Sequence, residues 1–172
     1  MADAVRKRRG GASAGAGGVV GSAMRIWIDA DACPRDVKDV IYRASQRLSV
    51  AVVVVANSPI GTPLSPSITS VVVKGGPDVA DDHIAAHAEK GDVAITQDIP
   101  LAARLVDKGV VAIDVRGTVY DADNIGERLS VRDFMADVRD SGVVTGGPKA
   151  WSPKDKQKFA AALDAALTRL RR

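Results

Sequence analysis

The sequence predicts a three-layer α/β fold, in which a mostly parallel sheet of about five strands is covered by helices on both faces. Two observations predict it: short runs rich in Val and Ile alternate with helical patterns along the chain, and Gly, Pro and Ser separate them. This alternation is typical of βαβ crossovers. In such sheets ligands bind outside the carboxyl ends of the strands, so the polar residues at those ends are the first functional candidates.

The predicted elements follow one another with short connections. A strand over residues 25–28 leads to a helix over 34–48, where Pro34 suits the first helical position. The β-branched run 50–56 is typical of a strand buried on both faces. The later elements are a strand over 69–74, a helix over 78–90, a strand over 92–96, a helix over 99–108, a strand over 110–114, an amphipathic helix containing Val131, Phe134, Met135 and Val138, and a helix from about 152 to 171.

One domain is predicted, with a tail before it. Residues 1–23 are mostly Gly, Ala, Ser and Arg and offer almost nothing to a core, so we expect them to be disordered. They fit a secretory signal poorly, because no apolar segment follows Arg9. The composition changes at Met24, and residues 24–172 have a suitable length for a single α/β domain.

The charge is unevenly distributed along the chain. Residues 24–148 contain 13 basic and 18 acidic residues, a net charge of −5, whereas residues 149–172 carry a net charge of +5. The negative net charge of residues 24–148 favours an acidic pocket in this part of the chain. RNA is a second expectation, with the basic C-terminal helix as the place for contacts to its phosphate backbone. The single cysteine, Cys33, and the lack of a membrane-length apolar run favour a cytoplasmic protein with no membrane partner.

Aspartates follow three of the predicted strands. Asp29 and Asp31 come after the first strand, Asp78, Asp81 and Asp82 after the third, and Asp98 after the fourth. Two carboxylates about 5 Å apart repel each other by roughly 3 kcal/mol at an effective dielectric constant near 20. Mg²⁺ or Mn²⁺ would relieve that repulsion, since these ions prefer hard oxygen ligands.

Simpler interpretations of the same residues stay open at this point. Asp78 and Asp98 lie where helices begin and are suited to capping them, whereas Asp29 lies too far from the next helix to do so. Cys33 precedes a helix and is either a stabilised thiolate or a small structural residue. His83 and His87 have the i, i+4 spacing of a zinc pair but lack the glutamate of an HExxH motif.

Seven motifs in this order resemble the YaiI/YqxD family of bacterial proteins, which is regarded as similar to PIN-like domains. Many PIN-like domains are metal-dependent ribonucleases, and the resemblance implies that Asp29, Asp81 and Asp98 occupy their metal-binding places, with Asp31 and Asp78 as neighbours. The motifs are Asp29-Ala30-Asp31-Ala32-Cys33-Pro34, Val55-Ala56-Asn57, Asp78-Val79-Ala80-Asp81, Thr96-Gln97-Asp98-Ile99-Pro100, Arg116-Gly117, Arg132-Asp133-Phe134-Met135 and Thr145-Gly146-Gly147-Pro148.

The first functional hypothesis is a Mg²⁺- or Mn²⁺-dependent nuclease acting on RNA. Its catalytic residues would be Asp29, Asp31 and Asp98, and its metal-binding residues would be Asp29, Asp78, Asp81 and Asp98. Asn57 and Thr96 would orient the phosphate, and the loop with Thr145, Gly146 and Gly147 would cradle it through backbone N–H groups. Arg116 is a further substrate-binding candidate.

Two other hypotheses compete with the nuclease. The first is a phosphohydrolase of the haloacid-dehalogenase kind, in which Asp29 is the nucleophile, Asp31 the general acid and Lys74 a charge clamp, with Asp78 and Asp82 at the metal. Cys33 stands where those enzymes usually have Thr. The second is a nucleic-acid-binding module that binds metal without turnover. The oligomeric state is not indicated by the sequence.

Overall fold

A computed structural model describes residues 23–142 and 150–171 of the chain. In those residues a six-stranded sheet is flanked by five α-helices, and the predicted three-layer α/β class is confirmed. The predicted tail lies outside the described residues, apart from Ala23. The strands are β1 (Arg25–Asp29), β2 (Ala51–Ala56), β3 (Ile68–Val72), β4 (Val93–Ile95), β5 (Val111–Ile113) and β6 (Val119–Tyr120), and the helices are α1 (Arg35–Leu48), α2 (Pro77–His87), α3 (Ile99–Asp107), α4 (Ile125–Asp140) and α5 (Pro153–Leu170).

The sheet reverses its direction of growth beside β1. Its strand order is β3-β2-β1-β4-β5-β6, and only β6 runs antiparallel to its neighbour. In parallel register Ile28 of β1 pairs with Ile95 of β4, so the residues that follow these two strands leave the sheet side by side. A crevice at such a reversal, outside the carboxyl ends of the strands, is where open α/β sheets bind ligands.

Each face of the sheet has its own core. Successive residues of a strand point to opposite faces, so Ile26 and Ile28 pack with α1 and α5, whereas Trp27 packs with α2 and α3. On α5, Phe159, Leu163 and Leu167 are fully buried, as their spacing predicts. The helix α4 lies against α3 on the face that also carries α2.

Three details differ from the sequence prediction. The strand β6 has two residues, too few to give a periodic signal, and was not predicted. Helix α2 begins at Pro77, one residue before its predicted start, so Asp78 lies within the first turn, and it does not cap the helix. Helix α4 is present, but it has no buried residue, and its Val131 and Phe134 are 54% and 65% exposed. No helix among the described residues is both long enough and apolar enough to cross a membrane.

Candidate metal centre

Asp29 ends β1 at the sheet reversal and is almost completely buried, with 8% of its surface exposed. The hydroxyl of Thr96, which follows β4, donates a hydrogen bond of 3.1 Å to Asp29 Oδ2. Burial raises the pKa of the Asp29 carboxyl; the bond from Thr96 opposes this rise, and the charges of Asp98 and Asp31 add to it. The pocket around Asp29 therefore favours either a proton or a compensating cation.

Thr96 joins Asp29 to Asp98. Its Oγ1 accepts a hydrogen bond of 3.0 Å from the backbone N–H of Asp98 while it donates to Asp29. Asp98 Oδ1 accepts a 2.8 Å hydrogen bond from the N–H of Leu101, so Asp98 does cap α3. Asp29 makes no capping bond. Asp98 therefore both caps α3 and belongs to the acidic cluster.

Asp81 is the third aspartate of the cluster. Its carboxyl group lies on α2, and its pKa is raised to about 7. Burial is the largest cause, followed by the negative charges of Asp98 and Asp29, a hydrogen bond with Asp98, and the charge of Asp78. A carboxylic acid held half-protonated near neutral pH in this way is expected where carboxylates meet without a counter-ion.

The cluster opens into a cleft of about 420 Å³ between α2, α3 and α4. Four aspartates line it: Asp78, Asp81, Asp82 and Asp98. Two arginines, Arg104 and Arg132, also line the cleft, and Arg104 forms an exposed ion pair of 2.8 Å with Asp82. Sequence reasoning missed both arginines, although Arg132 stands inside one of the motifs.

Asp31 and Asn57 lie beside the cluster at the ends of β1 and β2. Asp31 is exposed, and its Oδ2 accepts hydrogen bonds of 2.9 and 2.8 Å from the backbone and side-chain nitrogens of Asn57. Asn57 Oδ1 is buried and has no hydrogen-bond partner within the described residues. The Gln97 side chain donates to the Ala32 carbonyl and so ties the loop after β4 to the loop after β1.

Arg116, the remaining substrate-binding candidate that the structure describes, turns toward α5. Its guanidinium pairs with Asp155 at 2.9 Å, and Asp155 forms the capping box of α5 with Ser152. The loop residues Thr145, Gly146 and Gly147 lie outside the described residues.

Cys33 and the pair His83 and His87 lie in surroundings that suit structural roles. Burial raises the pKa of the Cys33 thiol to about 12, so a reactive thiolate is not expected. The rings of His83 and His87 stack with centroids 4.1 Å apart beside Trp27. Lys74 is exposed after β3.

The sequence profile described as "Uncharacterized BCR, YaiI/YqxD family" matches residues 27–169. The chain belongs to this family. It is 57% identical over 147 residues to a UPF0178 protein of Myxococcus xanthus, covering 86% of this chain and 96% of that protein. It is 55% identical over 149 residues to a UPF0178 protein of Trichlorobacter lovleyi, covering 87% and 97% of the two chains. No solved structure matches the chain.

Membership of the YaiI/YqxD family confirms the resemblance but assigns no chemistry. The match spans the whole acidic cluster, from Asp29 to Asp98, together with α4 and α5. Likeness to PIN-like domains remains a prediction. Because one fold serves many activities, a function for this member has to be argued from the chemistry of its site.

Proposed function

We propose that the protein is a divalent-metal-dependent nuclease that hydrolyses phosphodiester bonds of RNA at the acidic cleft. The observation that carries this proposal is the meeting of Asp29, Asp81 and Asp98, which come from three separate elements, at the reversal of the sheet. A carboxylate cluster in that position destabilises the fold unless a proton or a cation is present. It is therefore better explained by ligand binding than by stability.

The side chains suit a small, hard cation that keeps part of its water shell. Within residues 23–142 and 150–171, no three His, Cys, Asp or Glu side chains are arranged so as to hold a metal ion. Mg²⁺ is usually bound by one or two protein carboxylates, with water and substrate phosphate completing its shell. Asp98 and Asp81, whose negative charges act on each other, meet that lower requirement, and Asp29 supplies further negative charge close by. The buried Oδ1 of Asn57 has no hydrogen-bond partner within the described residues, and a bound water would satisfy it.

In the proposed reaction each residue near the cleft has a distinct task. Asp81 and Asp98 would bind Mg²⁺ or Mn²⁺ directly, with the charge of Asp29 close by, and the ion would neutralise phosphate charge and make water more acidic. Thr96 links the carboxylate of Asp29 to the backbone N–H of Asp98. Both hydrogen bonds from Asn57 reach Asp31 Oδ2, which leaves Oδ1 to accept a proton from the attacking water.

The phosphohydrolase hypothesis gains less from the structure. A covalent mechanism needs Asp29 to reach a phosphorus atom, yet Asp29 is buried and hydrogen-bonded to Thr96.

Turnover assays separate the three hypotheses. With millimolar Mn²⁺, the protein is expected to cut an end-labelled single-stranded RNA, to stop when EDTA is added, and to leave p-nitrophenyl phosphate intact. Hydrolysis of the phosphomonoester alone would contradict the nuclease proposal in favour of a phosphohydrolase. Turnover of neither substrate, with Mn²⁺ still bound, would contradict it in favour of a non-catalytic module.

A further inference from the structure

A second cleft, of about 370 Å³, adjoins the acidic one. Arg132 lines both clefts, while Ile99 in one and Pro100 in the other are consecutive residues of α3. The second cleft is lined mainly by α4, through Arg128, Val131, Arg132, Met135 and Arg139. We call it the α4 groove. Because the two clefts share a wall, a chain molecule that enters one can continue into the other.

The arginines and the aspartates of α4 lie on different sides of the helix, although the helix as a whole is acidic. It carries three arginines against four carboxylates. At 3.6 residues per turn, Arg128, Arg132 and Arg139 fall within an arc of about 40°. Asp133, Asp137 and Asp140 lie roughly 100° to 160° from the middle of that arc around the helix axis. A basic stripe therefore faces the groove, and the total charge of the segment hides it.

These arginines are available to a ligand. All three are exposed. Within the described part of the chain, Arg128 and Arg139 form no ion pair, and the pairing of Arg132 with Asp133 at 3.1 Å is an exposed contact between sequence neighbours that contributes little. Glu127 is the one carboxylate among the described residues that line the groove. Three fixed positive charges over an apolar floor of Ile99, Val131 and Met135 suit a polyanion with exposed bases.

We propose that the α4 groove binds the sugar-phosphate backbone of single-stranded RNA and directs it to the acidic cleft. The inference deepens the proposed nuclease function, since it names the surface that holds the substrate next to the reacting phosphate. It also differs from the sequence expectation, which favoured the basic C-terminal segment. That segment forms α5, which packs with α1 on the opposite side of the sheet from α2 and α3.

The test is a comparison of two triple variants that remove the same charge. One is R128Q/R132Q/R139Q in the α4 groove, and the other is K154Q/K156Q/K158Q on α5. Binding of a fluorescein-labelled single-stranded RNA of mixed sequence is followed by anisotropy at several salt concentrations in EDTA, so that no cleavage intervenes. Glutamine is a good helix former, and thermal melting of each variant verifies that it is folded.

In the groove variant, the slope of log affinity against log salt concentration is expected to become less steep by about two, because roughly 0.7 is lost for each of the three phosphate contacts. The affinity of this variant should fall on the order of 100-fold at 0.1 M salt, while the lysine variant stays close to wild type. Equal losses in both variants, an unchanged slope in the groove variant, or no RNA binding by the wild type would overturn the inference. Binding that follows the expected pattern in a protein that never cleaves RNA would support the groove and overturn the nuclease proposal alone.

Discussion

Replacing Asp98 with Asn is expected to lower the rate of RNA cleavage on the order of 100- to 1000-fold. The substitution removes the negative charge that Asp98 contributes to the cluster with Asp81 and Asp29. Asn caps helices about as well as Asp, so the hydrogen bond from Leu101 N–H should persist and the melting temperature should change little. Single-turnover cleavage of labelled RNA with saturating Mn²⁺ measures the effect.

Asp82→Asn is the matched control for this loss. Asp82 lines the same cleft, but it is exposed and paired with Arg104. We expect it to retain cleavage within a few-fold of wild type. If the two variants lose activity equally, the cleft acts through its total charge and no special role falls to Asp98. If Asp98→Asn cleaves at the wild-type rate, the proposed reaction at this cluster is wrong.

Replacing Gly117 with Ala is expected to give a large loss of stability, about 3 kcal/mol in the free energy of unfolding. Gly117 has a φ of +90°, and a Cβ atom there would stand 2.7 Å from the backbone C and O atoms of Lys158 on α5. Backbone atoms cannot swing aside as the end of a side chain can. The loop after β5 and the first turns of α5 would therefore have to separate. Urea unfolding followed by circular dichroism measures the change.

Gly126→Ala is the control, and its free energy of unfolding is measured in the same way. Gly126 lies in α4, and a Cβ atom there would meet nothing within 4 Å. Alanine is the better helix former by about 0.5–1 kcal/mol, so this variant should be as stable as the wild type or slightly more so. A Gly117→Ala variant that unfolds at the wild-type urea concentration would show that α5 does not pack tightly on this loop.

Much of the fold could be predicted because its signals are local. The β-branched run of β2 and the apolar spacing of Phe159, Leu163 and Leu167 each identify their element without reference to the rest of the chain. The strand β6 consists only of Val119 and Tyr120. It forms because it pairs with β5, and a pairing between two segments leaves no pattern in the local sequence. In α4, an amphipathic pattern predicted the helix correctly but could not show that Val131 and Phe134 stay exposed.

The clustering of the aspartates could be predicted in outline but not in detail. Aspartates after strand ends predicted that Asp29 and Asp98 lie close together, because parallel strands place their carboxyl ends at one edge of the sheet, and Thr96 contacts both residues there. Asp81 and Asp82 are adjacent in sequence, and only the packing of α2 shows that the first interacts with Asp98 whereas the second pairs with Arg104. The arginine stripe could have been found by plotting the charged residues of α4 on a helical wheel. The arginines share one side of the helix, which the net charge of the helix does not show.

Calorimetric titration with Mn²⁺ at pH 8 tests the central claim most directly, namely that the aspartates at the sheet reversal hold a divalent cation. At that pH the Asp81 carboxyl, with a pKa of about 7, is mostly charged and able to bind metal. The wild type is expected to take up Mn²⁺ saturably, and Asp29→Asn, which removes the buried charge beside Thr96, should weaken binding by at least about tenfold. Wild-type protein that takes up no Mn²⁺, or an Asp29→Asn variant that binds it with unchanged affinity, would contradict the account.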